Sequence, residues 1–119
     1  MITMIKIKRV YEEYSSDDGF RILIDRLWPR GVSKADAHVD VWFKEIAPTD
    51  KLRKWFSHDP KKWESFKKKY IKELRENKPS LDKIKSLKKE HKMITLVFSA
   101  KDEQHNNAVV LIGVLRMLR

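Results

Sequence analysis

The chain has 119 residues, with 27 Lys and Arg against 17 Asp and Glu, a formal net charge of +10. That length suits one α/β-sized domain with a single ordinary hydrophobic core. It contains no cysteine, which excludes disulfides, thiolate catalysis and Cys-ligated metal sites, and no apolar run reaches the length of a membrane span, so a cytoplasmic protein without a membrane partner is expected.

Met4 to Val10 alternates Ile5 and Ile7 with Lys6 and Lys8, the pattern of a peripheral strand with one buried face. Glu12 to Gly19 is polar and ends in the turn signal Asp17-Asp18-Gly19, and Phe20 to Leu27, FRILIDRL, follows as a better buried strand. A link this short favours an antiparallel hairpin between the two strands. Trp28-Pro29-Arg30-Gly31 then ends regular structure and leaves a polar loop at the strand's C-terminal end. His38 to Phe43 alternates again and reads as a third short strand or an extended segment.

Three helices are expected next. Thr49 caps the first, with Leu52, Trp55 and Phe56 on its inner face. Asp59-Pro60 starts the second, which carries Trp63, Phe66, Tyr70 and Leu74 inward and stops near Asn77, before Pro79. Ser80 caps the third, burying Leu81, Ile84 and Leu87. From Lys61 to Lys92 there are 13 Lys and Arg against 5 Asp and Glu, so +8 of the net charge belongs to this helical region. Its exposed positions read as lysines without arginine or aromatic residues, which suits a solvated face, or weak binding to nucleic-acid phosphates, better than base readout.

Met93 to Phe98, MITLVF, leaves no face for water and reads as an inner strand. It feeds the loop Lys101-Asp102-Glu103-Gln104-His105-Asn106-Asn107 and then a strongly apolar helix over about 106–118. Such a helix is either central or covered by another copy, which makes a homo-oligomer through it a partner class to test. The expected fold is α/β: a small mixed sheet of about four strands with helices packed on it.

Strand C-terminal ends followed by helix N-termini are where such sheets bind ligands. The candidate site therefore combines both polar loops. Arg26, Arg30 and Lys101 are suited to hold a phosphate or carboxylate, Trp28 offers a stacking face, and Asn106 stands at the helix start. His105 is the candidate general acid or base, with Asp102 as its orienting partner. The competing reading has Asp102, Asn106 or Asn107 capping the last helix, and an Asp-Arg ion pair among Asp25, Arg26 and Arg30 beside Trp28. His38, His58, His91 and His105 are too scattered for a local metal motif, so no metal ligand is assigned; no cofactor is indicated. Two functions remain: a small-molecule enzyme or binding domain with an anion pocket, and a non-specific nucleic-acid-binding or scaffold module on the Lys61 to Lys92 face.

The segments DGFRILIDRLWPRGVSK, WFKEIAPTDKLRKWFSHDPKKWESFKKKYIKEL and TLVFSAKDEQHNNAVVL together resemble the YeaO-like branch of a domain-of-unknown-function family of bacteria and archaea. The resemblance runs over nearly the whole chain and implies a single α/β domain, without bringing an activity. In the wider family the last strand is followed by a Cys-His-Arg element; the nearest match is Gln104-His105-Asn106, so only the histidine carries over, and a thiol or arginine mechanism does not.

Overall fold

In the computed structural model, which describes residues 4–117, four strands form one sheet: β1 Met4–Arg9, β2 Phe20–Leu23, β3 Val41–Trp42 and β4 Met93–Phe98. Their order is β1-β4-β2-β3 and every pairing is parallel, with Ile5 opposite Ile94, Phe20 opposite Ile94 and Ile22 opposite Val41. The α/β expectation holds. The sheet is parallel rather than mixed, however, and the expected hairpin is absent because β4 lies between β1 and β2. The short link from Val10 to Gly19 suffices for a parallel connection because it crosses the sheet face through a single 3-10 turn, Ser16–Asp18, in place of a helix. Gly19 makes the return possible. Its φ is +65°, and a Cβ there would collide with the Met93 carbonyl at the start of β4.

The two faces of the sheet are built differently. Ile22, Ile94, Leu96 and Phe98 point to one side, where Ile5 and Ile7 join them against α2 Asp50–Phe56, α3 Trp63–Glu76, α4 Lys78–Glu90 and α5 Asn107–Met117. Burial of these branched and aromatic side chains supplies most of the driving force for folding. The other side presents Leu23 and Val97, covered by Val10, Trp28, Val32, Val39 and Ala37 of the short helix α1 Lys34–Ala37. Beside that small cluster, fully buried Asp18 pairs with Lys6 at 2.8 Å, Lys8 at 3.0 Å and buried Arg21. Lys6 and Lys8, the polar positions of the β1 alternation, are thus partners of an ionic hub. Burial alone would push the Asp18 carboxyl up; hydrogen bonds from Lys6, Lys8, the Ser15 amide and Arg21 outweigh it and hold the group well below the ordinary carboxylate range.

The helical middle follows its sequence signals with local corrections. Thr49 Oγ1 accepts from the Leu52 amide, and Asp59 caps a 3-10 turn, Pro60–Lys62, ahead of α3. Ser80 is not a cap: α4 starts at Lys78 directly after Asn77, and Pro79 fits its first turn, where no amide donor is needed. Trp55 is not core; it is 38% exposed, with Lys62 and Lys69 Nζ each 5.1 Å from its ring centre. Ala108, Val110, Leu111, Ile112 and Leu115 of α5 are buried against α3, β1 and β4, so this helix is central to its own domain; Leu118 lies outside the described residues. Among the described residues no helix is long and apolar enough to cross a membrane.

Candidate functional site

β2 and β4 are neighbours and run the same way, so the loops leaving them emerge at one end of the sheet. From there the chain diverges. β4 leads into α5, which packs toward β1 on the helical face, while β2 leads through α1 on the opposite face to β3. A crevice where successive connections part in this way is the general ligand position of open α/β sheets.

Asp25, just beyond β2, ties the two strand ends together. Its Oδ2 accepts from the Ser99 amide at 2.8 Å and the Ser99 hydroxyl at 2.7 Å, and its Oδ1 accepts from Asn107 Nδ2 at 3.2 Å. Burial pushes the Asp25 carboxyl above its ordinary range, against the downward pull of Ser99, Asn107 and the His58 charge. The competing Asp-Arg ion pair is not formed: Asp25 is paired with neither Arg26 nor Arg30. Arg26 turns the other way and donates from Nε to the Pro48 carbonyl at 3.0 Å and from a terminal nitrogen to the Ala47 carbonyl at 3.2 Å.

That loop is itself fixed to α3. Buried Tyr70 donates its hydroxyl to the Ile46 carbonyl at 2.7 Å, and Glu73 accepts from the amide and hydroxyl of Thr49 at 3.0 and 2.7 Å. Between these walls lies a cavity of about 430 Å³. Asp25, His58, Ser99, Asn106 and Asn107 contribute its polar lining, and Arg26, Arg30 and Arg53 its guanidinium groups. Tyr11, Trp28, Phe56 and Phe66 supply aromatic surface. Trp28 is held by its Nε1 donating to the Val32 carbonyl at 2.7 Å and by an edge contact with Trp42. Tyr11 donates its hydroxyl to the Arg30 carbonyl at 2.9 Å, closing the loop over the β1 end. Arg53 is paired with Asp50 at 2.7 Å, whereas among the described residues Arg26 has carbonyl partners only, which do not cancel its charge.

Of the residues singled out in the sequence, Arg26, Trp28, Arg30 and Asn106 line this cavity together, while Lys101, Asp102 and His105 are outside its lining. His105 Nδ1 is 2.8 Å from Asp102 Oδ2, and Asp102 Oδ1 accepts from the amides of Gln104 and His105. The His105 bond is the largest cause, followed by the Gln104 amide, that brings the Asp102 carboxyl below its ordinary value. The imidazole rests edge-on against Trp63, 5.1 Å between ring centres. Asn106 is the helix cap: its Oδ1 accepts from the Val109 amide at 3.0 Å, and its Nδ2 donates to the Asp102 carbonyl at 2.8 Å. Asp25, Ser99, Asn107, Arg53, His58 and Tyr11 are the polar side chains of the lining that the sequence did not mark as site residues. Among the described residues no three His, Asp or Glu side chains gather as metal ligands would.

Comparison with known proteins finds relatives that match over nearly the whole chain. No solved structure matches. The chain is 40% identical over 114 residues to the "Uncharacterized protein YeaO" of Escherichia coli (strain K12), covering 96% of this chain and 98% of that one. It is 34% identical over 113 residues to the "Uncharacterized protein Rv3073c" of Mycobacterium tuberculosis (strain ATCC 25618 / H37Rv), covering 95% and 94%. Residues 4–118 match the family described as "Inactive DUF488-N3 subclade", and the chain therefore belongs to that subclade of the DUF488 family.

Proposed function

We propose that this chain is a binding domain for a small anionic ligand, a phosphate or carboxylate held in the cavity at the ends of β2 and β4. The observation that carries the reading is the guanidinium lining: Arg26 and Arg30, with Arg53 already paired to Asp50, line a cavity whose one acidic lining residue among the described residues is Asp25, in the crevice where open α/β sheets take ligands. Guanidinium groups suit such anions because their planar donors match two oxygens at once. Two facts favour binding over turnover. His105 and Asp102 stand outside the lining, and the family's description as inactive accords with Gln104-His105-Asn106 in place of the wider family's Cys-His-Arg. Arg30 is the residue to test, because its side chain is exposed and truncating it removes charge without emptying the core. In a thermal-shift titration, phenyl phosphate should raise the melting temperature of the wild type, and Arg30→Ala should weaken that response severalfold. A wild type that neither phosphates nor carboxylates stabilise refutes the reading.

A second reading, weak nucleic-acid binding by the lysine face of α3 and α4, gains support from Trp55. An exposed indole between Lys62 and Lys69 is a stacking surface of the kind single strands use. Its test is a fluorescent oligonucleotide titrated at two salt concentrations: affinity should collapse with salt and fall further in Trp55→Ala.

A further inference from the structure

The cavity lining combines hydrogen-bond acceptors with arginines, and the combination narrows the ligand class; the inference rests on the anion-binding reading above. Asp25 Oδ2 already accepts two hydrogen bonds from Ser99, whereas Oδ1 accepts one, from Asn107. A carboxylate oxygen has two acceptor positions, so Oδ1 keeps one open. Asn107 uses its Nδ2 on the Ile24 carbonyl at 3.0 Å and on Asp25. Among the described residues no donor is recorded for the Asn107 amide oxygen, and no buried side-chain oxygen is left unpartnered, so that oxygen is open to solvent. Both residues line the cavity. The lining therefore joins two residues with acceptor capacity to spare, Asp25 and Asn107, to arginines and aromatic rings.

A bare anion answers the arginines and leaves the acceptors unanswered. A ligand that answers both carries an N–H donor, an anionic group and a flat body able to pack on the aromatic lining of Tyr11, Trp28 and Phe56. We infer that the ligand joins an anionic group to a planar ring bearing N–H donors, the chemistry of a nucleoside monophosphate, and that Asp25 selects for the ring donor. The volume of about 430 Å³ lies within the roughly 300–1,000 Å³ usual for small-molecule sites. A ring without a donor displaces water from Asp25 and returns no hydrogen bond, which is the arrangement that discriminates most strongly against a near-isostere.

Isothermal titration of the full chain tests this with four probes: phenyl phosphate, phosphoethanolamine, uridine monophosphate and its N3-methyl derivative. Uridine monophosphate should bind at least tenfold more tightly than phenyl phosphate, and N3-methylation should remove that advantage. Asp25→Asn should erase the discrimination, with circular dichroism confirming its fold; if this variant does not fold, the N3-methyl comparison on the wild type decides. Equal binding of the methylated and unmethylated nucleotide overturns the inference while phenyl phosphate binding leaves the anion reading standing. Phosphoethanolamine binding more tightly than uridine monophosphate overturns the planar-ring class. Binding of none of the four overturns both the inference and the reading beneath it.

Discussion

Replacing Asp18 with Asn tests the ionic hub that covers the second face of the sheet. The substitution keeps shape and removes the one negative charge that Lys6, Lys8 and Arg21 share. Lys6 is 39% exposed and can swing into water, but Lys8 is 15% and Arg21 only 1% exposed, so two cations lose their counter-charge in place. Breaking a buried pair costs about 3–5 kcal/mol. Arg21 retains the Ala37 and His38 carbonyls at 3.0 and 3.1 Å, which places the expected loss at the lower end, about 3 kcal/mol, or a fall of about 12 °C in melting temperature. The sign with pH follows from the depressed Asp18 carboxyl. Its stabilisation is complete above the unfolded value of about 3.9 and declines by about 1.4 kcal/mol per pH unit below it. Urea unfolding followed by circular dichroism at pH 7, 4 and 2.5 reads both quantities. The gap between wild type and Asp18→Asn should be largest at pH 7 and shrink by about 2 kcal/mol by pH 2.5. A gap below about 1 kcal/mol at pH 7, or one undiminished at pH 2.5, refutes the hub as described.

Gly19→Ala should cost about 3 kcal/mol or more, since a side chain at φ +65° adds strain to a collision with the β4 backbone; a variant melting within a few degrees of wild type counts against the parallel crossover. Asn106→Ala should lose about 1 kcal/mol through the Val109 amide, read by urea unfolding, and an unchanged midpoint would mean that another residue caps α5. His105→Ala should let the Asp102 carboxyl rise toward its ordinary value, because the imidazole is the first cause of its depression; carbon-detected NMR titration checks it, and an unmoved titration removes the His105–Asp102 contact from the account.

Local signals in this chain were legible where local physics decides. Thr49, Asp59 and Asn77 sit where their capping and stop signals place them, and the apolar run of β4 is the inner strand its composition requires. Strand direction was not legible, because it depended on a partner far along the chain. The short link after β1 suggests a hairpin only so long as β2 is assumed to pair with β1, and the insertion of β4 between them removes that premise. Ser80 fails as a cap for a similar reason: Pro79 reads equally well as a stop or as a first-turn residue, and the packing of Leu81 and Ile84 decides for the latter. Trp55 shares a helical face with Leu52 and Phe56 by spacing alone. At the edge of that face the lysines of the neighbouring turn and of α3 leave it in water.

The candidate site divides along the same line. Arg26, Trp28 and Arg30 were reachable because they follow a buried strand, and a parallel sheet delivers such residues to its ligand-binding end whatever their partners. Asp25 belongs to the same stretch, but its role rests on Ser99 and Asn107, more than seventy residues away, and sequence adjacency pointed instead to Arg26. Two successive residues leaving an extended strand face opposite ways, so Asp25 and Arg26 are poorly placed to pair with each other. Asp25 turns toward β4 and Arg26 toward the loop before α2. His105 and Asp102 show the converse. Three residues apart, they meet through local geometry alone, and a loop that satisfies itself in this way has no need of the cavity. What distinguishes Asp25, Arg26 and Asn107 is that their partners come from the ends of β2 and β4, from α5 and from the 47–48 segment. A charge or acceptor held in common by separate elements keeps its position when any one of them moves, which is the property a binding site requires.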